Sequence, residues 1–549
     1  MTPGSSALRG RTLGAVLDEM TAANPSAPAV FFDGRVMSYA ELRQRSIEAA
    51  KSLLALGLRR GDRLGVLLAN EPRWLVMCYA ASYVGATLVP LNTWYKKSEL
   101  AWTLRHCEVS MLVTARKLLN QDYAGMLDEL LPSLHEARNG ALQDAGYPAL
   151  RRVVMVGDAL RGTMSWSAFK AASTGIDGAT FEAAASAVQP TDAAFILYTS
   201  GSLAEPKGVV LNHGGVIRNG VHMGDRRAIK SEDRVWLGSP LFYGLGATNA
   251  LPVALTHGAS LVLQGSFEAG RAIQAVQSTG ATTFYGTGNM TRAILDHPDY
   301  AQSKIGTLKK GNAGTMTEYK RMTLVEMGVS QASPAYGLTE SYGNATVGEH
   351  DDPLEVKLNT SGRPLPDTEL LIVDPASGSP LPAGQIGLVL LRGLTAPRYH
   401  ANPEETRKAM RPDGYFDTGD LGSLDGDGRF AFHARLKEVI KSGGINVSPM
   451  EVEQLLVRHP HVLDAHVVGV ADPVRGELIV AFVDVDAAVP EAELKDFVKE
   501  RAASFKTPHH VFFRTESQLP RLASGKVAKF KLVEEARTEL AITRSRLID

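Results

Sequence analysis

An apolar strand–helix–strand pattern near the start of the chain most limits what it can fold into. Leu64 to Leu68 is a fully apolar run, Pro72 to Val84 predicts a helix, and Thr87 to Leu91 predicts a second strand. Strands joined by a helix in this way are typical of a parallel sheet covered by helices. Because the alternation recurs to about residue 345, we predict an α/β protein with a large domain of mostly parallel sheets and flanking helices.

The pattern changes after residue 360. Residues 360–435 are rich in short strands and turns, which predicts a small β-barrel-like subdomain. Ser448 followed by Pro449 predicts the start of a helix; strands near 465–470 and 478–485 and a helix near 491–504 follow. We therefore predict an N-terminal domain at 1–436 and a small α+β C-terminal domain at 437–549.

Composition excludes several classes of protein. The 549 residues include 58 Lys and Arg against 59 Asp and Glu, so no basic excess points to nucleic acid or an anionic membrane. Cys78 and Cys107 are too few for a disulfide framework, which fits a reducing cytoplasm, and no apolar leader opens the chain. Val235 to Phe267 lacks charged side chains but contains seven glycine and proline residues, so we expect a buried helix and strand rather than a transmembrane span.

The most informative segment runs from Ala193 to Val210. An apolar strand ends in a loop of small hydroxylated residues and glycine with one lysine, and a second strand follows. Small residues let backbone N–H groups approach phosphate oxygens, and hydroxyls and a cation add donors. The spacing differs from a Walker A loop, which argues against a Walker-type kinase or ATPase; a polar turn is the alternative for this segment alone. The candidate phosphate-binding residues are Thr199, Ser200, Gly201, Ser202 and Lys207.

This segment resembles the phosphate-binding loop of the adenylate-forming superfamily, which includes acyl-CoA synthetases, peptide-synthetase adenylation domains and luciferases. Leu203 and Ala204 depart from the family pattern, where Thr and Gly are usual. Further segments resemble the family's motifs in the family's order: Tyr336 to Glu340, Tyr415 to Leu421, Arg435 to Glu453 and Pro520 to Val527.

The resemblance implies roles around the nucleotide. Tyr336 would stack near adenine, with Gly314 and Thr315 supplying further walls of that site. Thr339 would contact the α-phosphate and Glu340 would hold Mg²⁺, a hard cation that prefers carboxylate oxygen.

The later motifs imply roles in a mobile C-terminal domain and its hinge. Asp420 would accept hydrogen bonds from the ribose hydroxyls, and Arg435 would reach the ribose or a phosphate. Lys437 would be the hinge, and Gly443-Gly444 would line the CoA pantetheine tunnel, where a Cβ leaves no room. Lys526 would contact the carboxylate and the α-phosphate during adenylation, stabilising negative charge at phosphorus.

Pro240 to Gly246 resembles the family's acyl-pocket motif. Tyr243 takes the position of an aromatic gate, and Gly244 and Gly246 are expected to leave space. Amino-acid-activating relatives typically place an Asp just after the Phe of this segment, and none stands here. The pattern favours an aliphatic, alicyclic or aromatic carboxylic acid over an α-amino acid.

The resemblance therefore predicts an acyl-CoA synthetase that uses ATP, Mg²⁺ and CoA and forms acyl-CoA, AMP and diphosphate. The carboxylate would attack the α-phosphorus; the small domain would then rotate about Lys437, withdraw Lys526 and admit the CoA thiol to the acyl-AMP. Two alternatives stay open: an adenylating enzyme that loads a carrier protein in trans, and a catalytically weak binding protein, suggested by the substitutions in the phosphate loop. The identity of the carboxylic acid and the oligomeric state, with a homodimer as one option, also stay open.

Overall fold

The computed structural model describes residues 10–138, 140–199, 206–442, 445–472, 475–502, 504–522 and 526–546. The chain divides into two compact units. The first comprises Met1–Thr315, Tyr319–Glu369 and Leu391–Gly414, and the second comprises Met316–Glu318, Leu370–Leu390 and Tyr415–Asp549. The domain boundary expected at Lys437 falls within the second unit and stays a prediction.

The strands vary in length from two to eleven residues. In the first half of the chain they are β1 (Pro28–Phe32), β2 (Arg35–Ser38), β3 (Arg63–Leu67), β4 (Thr87–Pro90), β5 (Met111–Ala115), β6 (Lys117–Leu118), β7 (Gln121–Asp122), β8 (Arg152–Val156), β9 (Met164–Ser165), β10 (Ala193–Thr199), β11 (Lys207–Asn212), β12 (Arg234–Leu237) and β13 (Ser260–Leu263). In the second half they are β14 (Thr283–Tyr285), β15 (Lys310–Asn312), β16 (Gln331–Ser333), β17 (Ala335–Tyr336), β18 (Thr346–Val347), β19 (Arg363–Pro364), β20 (Thr368–Val373), β21 (Gly387–Gly393), β22 (Arg398–Tyr399), β23 (Phe416–Leu424), β24 (Phe430–Arg435), β25 (Ile440–Ser442), β26 (Ile445–Val447), β27 (Val462–Asp472), β28 (Gly476–Val485) and β29 (His510–Phe513).

The α-helices alternate with the strands over most of the chain. They are α1 (Leu13–Ala23), α2 (Tyr39–Ala55), α3 (Pro72–Val84), α4 (Lys97–His106), α5 (Tyr123–Leu130), α6 (Trp166–Ala171), α7 (Gly178–Ser186), α8 (His213–Arg226), α9 (Leu251–Thr256), α10 (Ala269–Thr279), α11 (Gly288–Leu295), α12 (Gln302–Ile305), α13 (Thr317–Arg321), α14 (Leu354–Asn359), α15 (Pro403–Ala409), α16 (Pro449–Leu456), α17 (Glu491–Arg501) and α18 (Lys529–Arg546).

Two large sheets organise the first unit. One has the order β22-β11-β10-β4-β3-β5-β8-β9, and the other has the order β16-β15-β14-β12-β13-β1-β2. The pairs from β10 through β4, β3, β5 and β8 to β9 are parallel, as are the pairs from β16 to β1. The prediction of an α/β unit with mostly parallel sheets is therefore confirmed.

The uncharged stretch after Val235 lies inside the first unit. Strands β12 and β13 enclose a π-helical segment, Leu245–Ala250, and α9, and most of these residues are buried. Among the described residues, no helix combines the length and the apolar character needed to cross a membrane. Cys78 and Cys107 are both buried and unbridged.

The second unit contains a separate four-stranded sheet. Its strand order is β20-β21-β23-β24, and the strands come from the stretch that is rich in short strands and turns. Closure of this sheet into the expected barrel-like subdomain stays a prediction. Towards the C-terminus, β27 and β28 form a long antiparallel pair whose apolar face packs on α16 and α17. The Ser448 side chain accepts a hydrogen bond from the Glu451 N–H, so the predicted helix start is confirmed.

A buried lysine makes the stability of the first unit depend on pH. Lys320 is 3% exposed, and its Nζ donates to the carbonyl oxygens of Leu358 and Thr360. Burial lowers the pKa of Lys320 to about 8. The unfolded chain therefore binds one more proton than the folded chain between about pH 8 and 10.5, and stability rises with pH across that window by at most about 3 kcal/mol.

We expect Lys320→Met to flatten this rise. The measurement is the apparent melting temperature of both proteins at several pH values between 8 and 10. Lys309→Met, at an exposed lysine nearby, is the control and is expected to keep the wild-type slope. A wild-type slope in Lys320→Met would contradict the assignment.

Candidate functional site

The predicted phosphate loop joins the ends of two paired strands. Strands β10 and β11 are antiparallel, and Thr199 lies opposite Lys207 in their register. The two strands predicted on either side of the loop are therefore confirmed. The loop residues named from the sequence, Ser200, Gly201 and Ser202, lie outside the described residues, as do the departures at 203 and 204.

Lys207 at the end of this loop takes part in a polar cluster. Its Nζ forms an ion pair with Glu405 and lies 5.2 Å from the centroid of the Tyr399 ring. The Tyr399 hydroxyl donates to Glu340 Oε1 at 2.7 Å. The structure thus brings together two residues predicted from separate motifs, Lys207 and Glu340, through one tyrosine.

Sequence reasoning did not find Glu405. Hydrogen bonds from Lys207 and Lys408 lower the pKa of Glu405, which keeps it ionised beside the lysine. The only signal was the helix start at Asn402-Pro403, whose Asn side chain accepts from the Glu405 N–H at 3.0 Å. That signal predicts a helix and gives no indication of a partner 198 residues away.

Thr339 and Glu340 lie in a short 3-10 turn, Thr339–Ser341, of the first unit. The Ser341 hydroxyl accepts a hydrogen bond from the Leu338 N–H at 2.9 Å. Tyr342, which ends the turn, is left-handed at φ 57° and only 2% exposed. Its ring lies so close to Gly215 that a Cβ there would be 2.1 Å from it. The motif is therefore held by a buried, conformationally unusual turn.

The residues expected around adenine follow neighbouring strands. Gly314, at φ 90°, and Thr315 follow β15, while Tyr336 lies just beyond β16 and is 6% exposed. Strands β15 and β16 are parallel neighbours. The chain therefore leaves the same edge of the sheet at both places, where ligands of α/β folds commonly bind.

In the second unit, Asp420 and Arg435 lie opposite each other on β23 and β24. Arg435 Nε is 3.0 Å from Asp420 Oδ1, and Asp420 is 2% exposed. The Asp420 N–H donates to the hydroxyl of Thr418, which in turn donates to the carbonyl of Val389. The two residues expected at the ribose therefore form an ion pair.

The remaining predicted residues of the second unit are exposed or undescribed. Lys437 is exposed within a 3-10 turn, Leu436–Glu438, between β24 and β25. Gly443 and Gly444 lie outside the described residues. Lys526 is exposed, and its carbonyl accepts a hydrogen bond from the Leu522 N–H at 2.8 Å.

The predicted acyl segment is aromatic and partly buried. The Tyr243 hydroxyl accepts from Asn92 Nδ2 at 3.1 Å, and burial raises the pKa of Tyr243. Its ring centroid lies 4.6 Å from that of Phe242 and 5.8 Å from that of Trp94. These rings give one side of the segment an apolar wall.

The two glycines of this segment differ in the space around them. A Cβ on Gly244 would lie 3.5 Å from Thr248 Oγ1 and 3.9 Å from Thr339 Oγ1, so Gly244 faces the Thr339 turn. A Cβ on Gly246 would lie 2.4 Å from the carbonyl oxygen of Pro240, so glycine is needed there for backbone approach. A Cβ would therefore fit at Gly244 but not at Gly246, and the role of both glycines in an acyl pocket stays a prediction.

The donor set suits a cation that is shared with phosphate. No group of three or more His, Cys, Asp or Glu side chains that could hold a metal occurs in the described part of the chain. Glu340 offers a single carboxylate, and Mg²⁺ typically takes one or two carboxylates with phosphate oxygens and waters. The residues present therefore fit Mg²⁺ bound together with a nucleotide.

Arg398, which precedes Tyr399 in β22, has a side chain that lies away from this cluster. It lines a cavity of about 550 Å³ together with Arg60, Arg63 and His400, at the amino ends of β3, β4 and β10. The phosphate loop follows the opposite, carboxyl end of β10. The Arg398 side chain therefore leaves the cluster around Lys207 unobstructed.

Comparison with known proteins bears on both units. The model of the AMP-binding enzyme family matches residues 17–399, and that of the AMP-binding enzyme C-terminal domain matches residues 451–526. The chain is 31% identical over 549 residues to the mitochondrial medium-chain acyl-CoA ligase ACSF2 of Rattus norvegicus, covering 97% of this chain and 89% of that protein. It is 34% identical over 532 residues to a (methyl-dioxo-octahydro-indenyl)propanoyl:CoA ligase of Mycobacterium tuberculosis (strain ATCC 25618 / H37Rv), covering 95% and 99%.

A solved structure supports the fold. The crystal structure of the anthranilate CoA ligase AuaEII in complex with anthranoyl-AMP superposes with a TM-score of 0.85 at 24% identity, over 98% of this chain and 100% of that one. This likeness confirms the predicted fold class.

Proposed function

The chain belongs to the AMP-binding enzyme family and is an AMP-forming acyl-CoA ligase, and on that premise we propose that it joins an aliphatic, alicyclic or aromatic carboxylic acid to CoA through an acyl-AMP. The observation that carries the proposal is the placement of Gly244 against Thr339, beside the linked pair Lys207 and Glu340. An aromatic-walled segment thereby meets a hydroxyl, a carboxylate and a lysine, the groups needed to set an acid against a phosphate.

We assign the first step to the residues of this cluster. A carboxylate oxygen of the acid attacks the α-phosphorus of ATP, the bond to the β-phosphate breaks, and diphosphate leaves. Lys207 donates to phosphate in place of its ion pair with Glu405, and Thr339 donates to the α-phosphate. Glu340 would hold Mg²⁺, which would supply positive charge to neutralise the phosphates. Lys526 stabilises the charge that develops at phosphorus.

In the second step, the CoA thiol attacks the carbonyl carbon of the acyl-AMP, and AMP leaves. Asp420 and Arg435 hold the ribose, and their direct pairing across β23 and β24 supports this assignment. Lys437 serves as the hinge, and the resemblance assigns Gly443-Gly444, which lie outside the described residues, to the path of the thiol. No protein nucleophile is required.

The acyl segment supports the class of acid. Tyr243, Phe242 and Trp94 form an apolar wall, and no acidic residue stands between Pro240 and Gly246 to pair a substrate ammonium group. The relatives named above act, by their names, on medium-chain and bicyclic propanoyl acids. An apolar acid without an α-amino group fits both observations.

The test is a panel of octanoate, cyclohexanecarboxylate, benzoate and L-phenylalanine with Mg·ATP, with and without CoA. We expect diphosphate and AMP to form in the presence of CoA with at least one of the first three acids and none with L-phenylalanine. Persistence of the acyl-AMP despite CoA would favour loading of a carrier protein. The absence of diphosphate with every acid would overturn the proposal and favour a binding protein.

A further inference from the structure

A chain of buried asparagine side chains connects the acyl segment to the turn that carries Thr339 and Glu340. Asn249 Nδ2 donates to the carbonyl of Gly244 at 3.1 Å, and Asn249 Oδ1 accepts from Asn344 Nδ2 at 2.6 Å. Asn249 is 3% exposed and Asn344 is 8% exposed. One amide therefore bridges two segments that are about a hundred residues apart in sequence.

A third asparagine fixes the far side of the same turn. Asn219 on α8 is fully buried, and its Nδ2 donates to the carbonyls of Ser341 and Asn344 at 3.2 and 2.7 Å. Both ends of the stretch just after Thr339-Glu340 are thus held by one side chain. The turn is anchored to a helix on one side and to the acyl segment on the other.

The backbone is shaped to accept Asn249. Gly343 is at φ 109°, and a Cβ there would lie 2.3 Å from Asn249 Nδ2, so only glycine admits the amide. Asn249 itself lies in the π-helical segment Leu245–Ala250. Single π-turns often occur at functional sites, and this one carries the bridging amide.

We propose that Asn249 is a positioning residue that sets the spacing between the bound acid and the α-phosphate during adenylation. Gly244 lies in the acyl segment, and the Thr339 turn holds the phosphate, so a link between them fixes how far the carboxylate stands from phosphorus. The inference rests on the proposed function. Reacting atoms must be held about 3–3.5 Å apart, and a misplacement of about 1 Å can cost about 100-fold in rate.

This role makes a prediction that separates the two half-reactions. In acyl-AMP the acid and the phosphate are already joined covalently, so the link through Asn249 is no longer needed to set their distance. We expect Asn249→Ser and Asn249→Leu to lower kcat for adenylation by about 30- to 100-fold, with KM for ATP and acid within about threefold. Thioester formation from supplied acyl-AMP is expected to stay within about twofold of wild type.

The experiment uses the full-length enzyme with octanoate, cyclohexanecarboxylate or benzoate, whichever gives the fastest diphosphate release, and the matching synthetic acyl-AMP with CoA. Thr256→Val, which removes a buried hydroxyl from α9, is the matched control and is expected to keep the wild-type ratio of the two rates. Asn249→Ser combined with Asn344→Ser is expected to be no slower in adenylation than the slower single variant, because both break one link.

Three outcomes would overturn the inference. Equal loss of both half-reactions in the Ser and Leu variants would show a purely structural role. The ratio of the adenylation rate to the thioester-formation rate is measured in the same preparation of each variant, so a lower fraction of folded enzyme does not change it. Unchanged adenylation would show that the link does not position the acid. Additive losses in the double variant would show two independent effects. If wild type converts none of the three acids, the proposed function fails first.

Discussion

Lys526→Ala is expected to slow adenylation by about 10²- to 10³-fold, while thioester formation from supplied acyl-AMP stays within about twofold of wild type. The reason is that the lysine is assigned to the developing charge at phosphorus, which exists only in the first half-reaction. Lys526 is exposed, and its carbonyl accepts a hydrogen bond from the Leu522 N–H, a main-chain contact that the alanine variant keeps.

The control for this variant is Lys531→Ala. Lys531 is also exposed and lies five residues further on, in α18. It is expected to keep both rates, which separates a general loss of positive charge from the loss of one placed cation. Diphosphate release and acyl-CoA formation are measured separately. A Lys526→Ala enzyme that loses both half-reactions equally would contradict the assignment.

Glu340→Gln is expected to slow diphosphate release by about 100-fold at low Mg²⁺ and to move the Mg²⁺ midpoint to higher concentration. An amide keeps the size of the side chain but loses the charge that a hard cation prefers. The measurement is a titration of Mg²⁺ at fixed ATP and acid, following diphosphate. A midpoint equal to that of wild type would show that Glu340 is not the ligand.

Tyr399→Phe separates the carboxylate from its hydrogen bond. It removes the hydroxyl that donates to Glu340 Oε1 and leaves the carboxylate in place. A hydrogen bond to a charged group is worth about 1.5–3 kcal/mol. We therefore expect Tyr399→Phe to slow diphosphate release by at most about 100-fold and to leave the Mg²⁺ midpoint unchanged. If Glu340→Gln and Tyr399→Phe shift the Mg²⁺ midpoint equally, the hydrogen bond from Tyr399, and not the charge of Glu340, determines the affinity for Mg²⁺.

Local sequence signals predicted the elements well. Proline in the first turn and Gly85 in a left-handed conformation give α3 the predicted limits, Pro72 to Val84. Asp420 and Arg435 came from two motifs and lie opposite each other in one hairpin, 15 residues apart in the chain. Where a residue and its partner are close along the chain, the local sequence pattern is enough to predict their contact.

Long-range partners were not predictable in this way. Glu405 reaches Lys207 and Tyr399 reaches Glu340 only because β22 adds to the edge of β11. The link through Asn249 depends on a glycine at φ 109° and a π-turn, neither of which has a period or composition of its own. Such contacts are set by tertiary packing, and a single sequence carries no pattern for them.

The first unit is interrupted in sequence, and this has a consequence for synthesis on the ribosome. The chain leaves the first unit after Glu369, contributes β20 and most of β21 to the second, and returns with Leu391–Gly414 to supply β22. Tyr399 pairs with Val209 only after that return. Strand β21 likewise lacks its neighbour β23 until that later strand has been synthesised. Translation of residues 370 to 424 is therefore one interval in which a nascent chain exposes unpaired strand edges, the kind of surface that a holding chaperone covers.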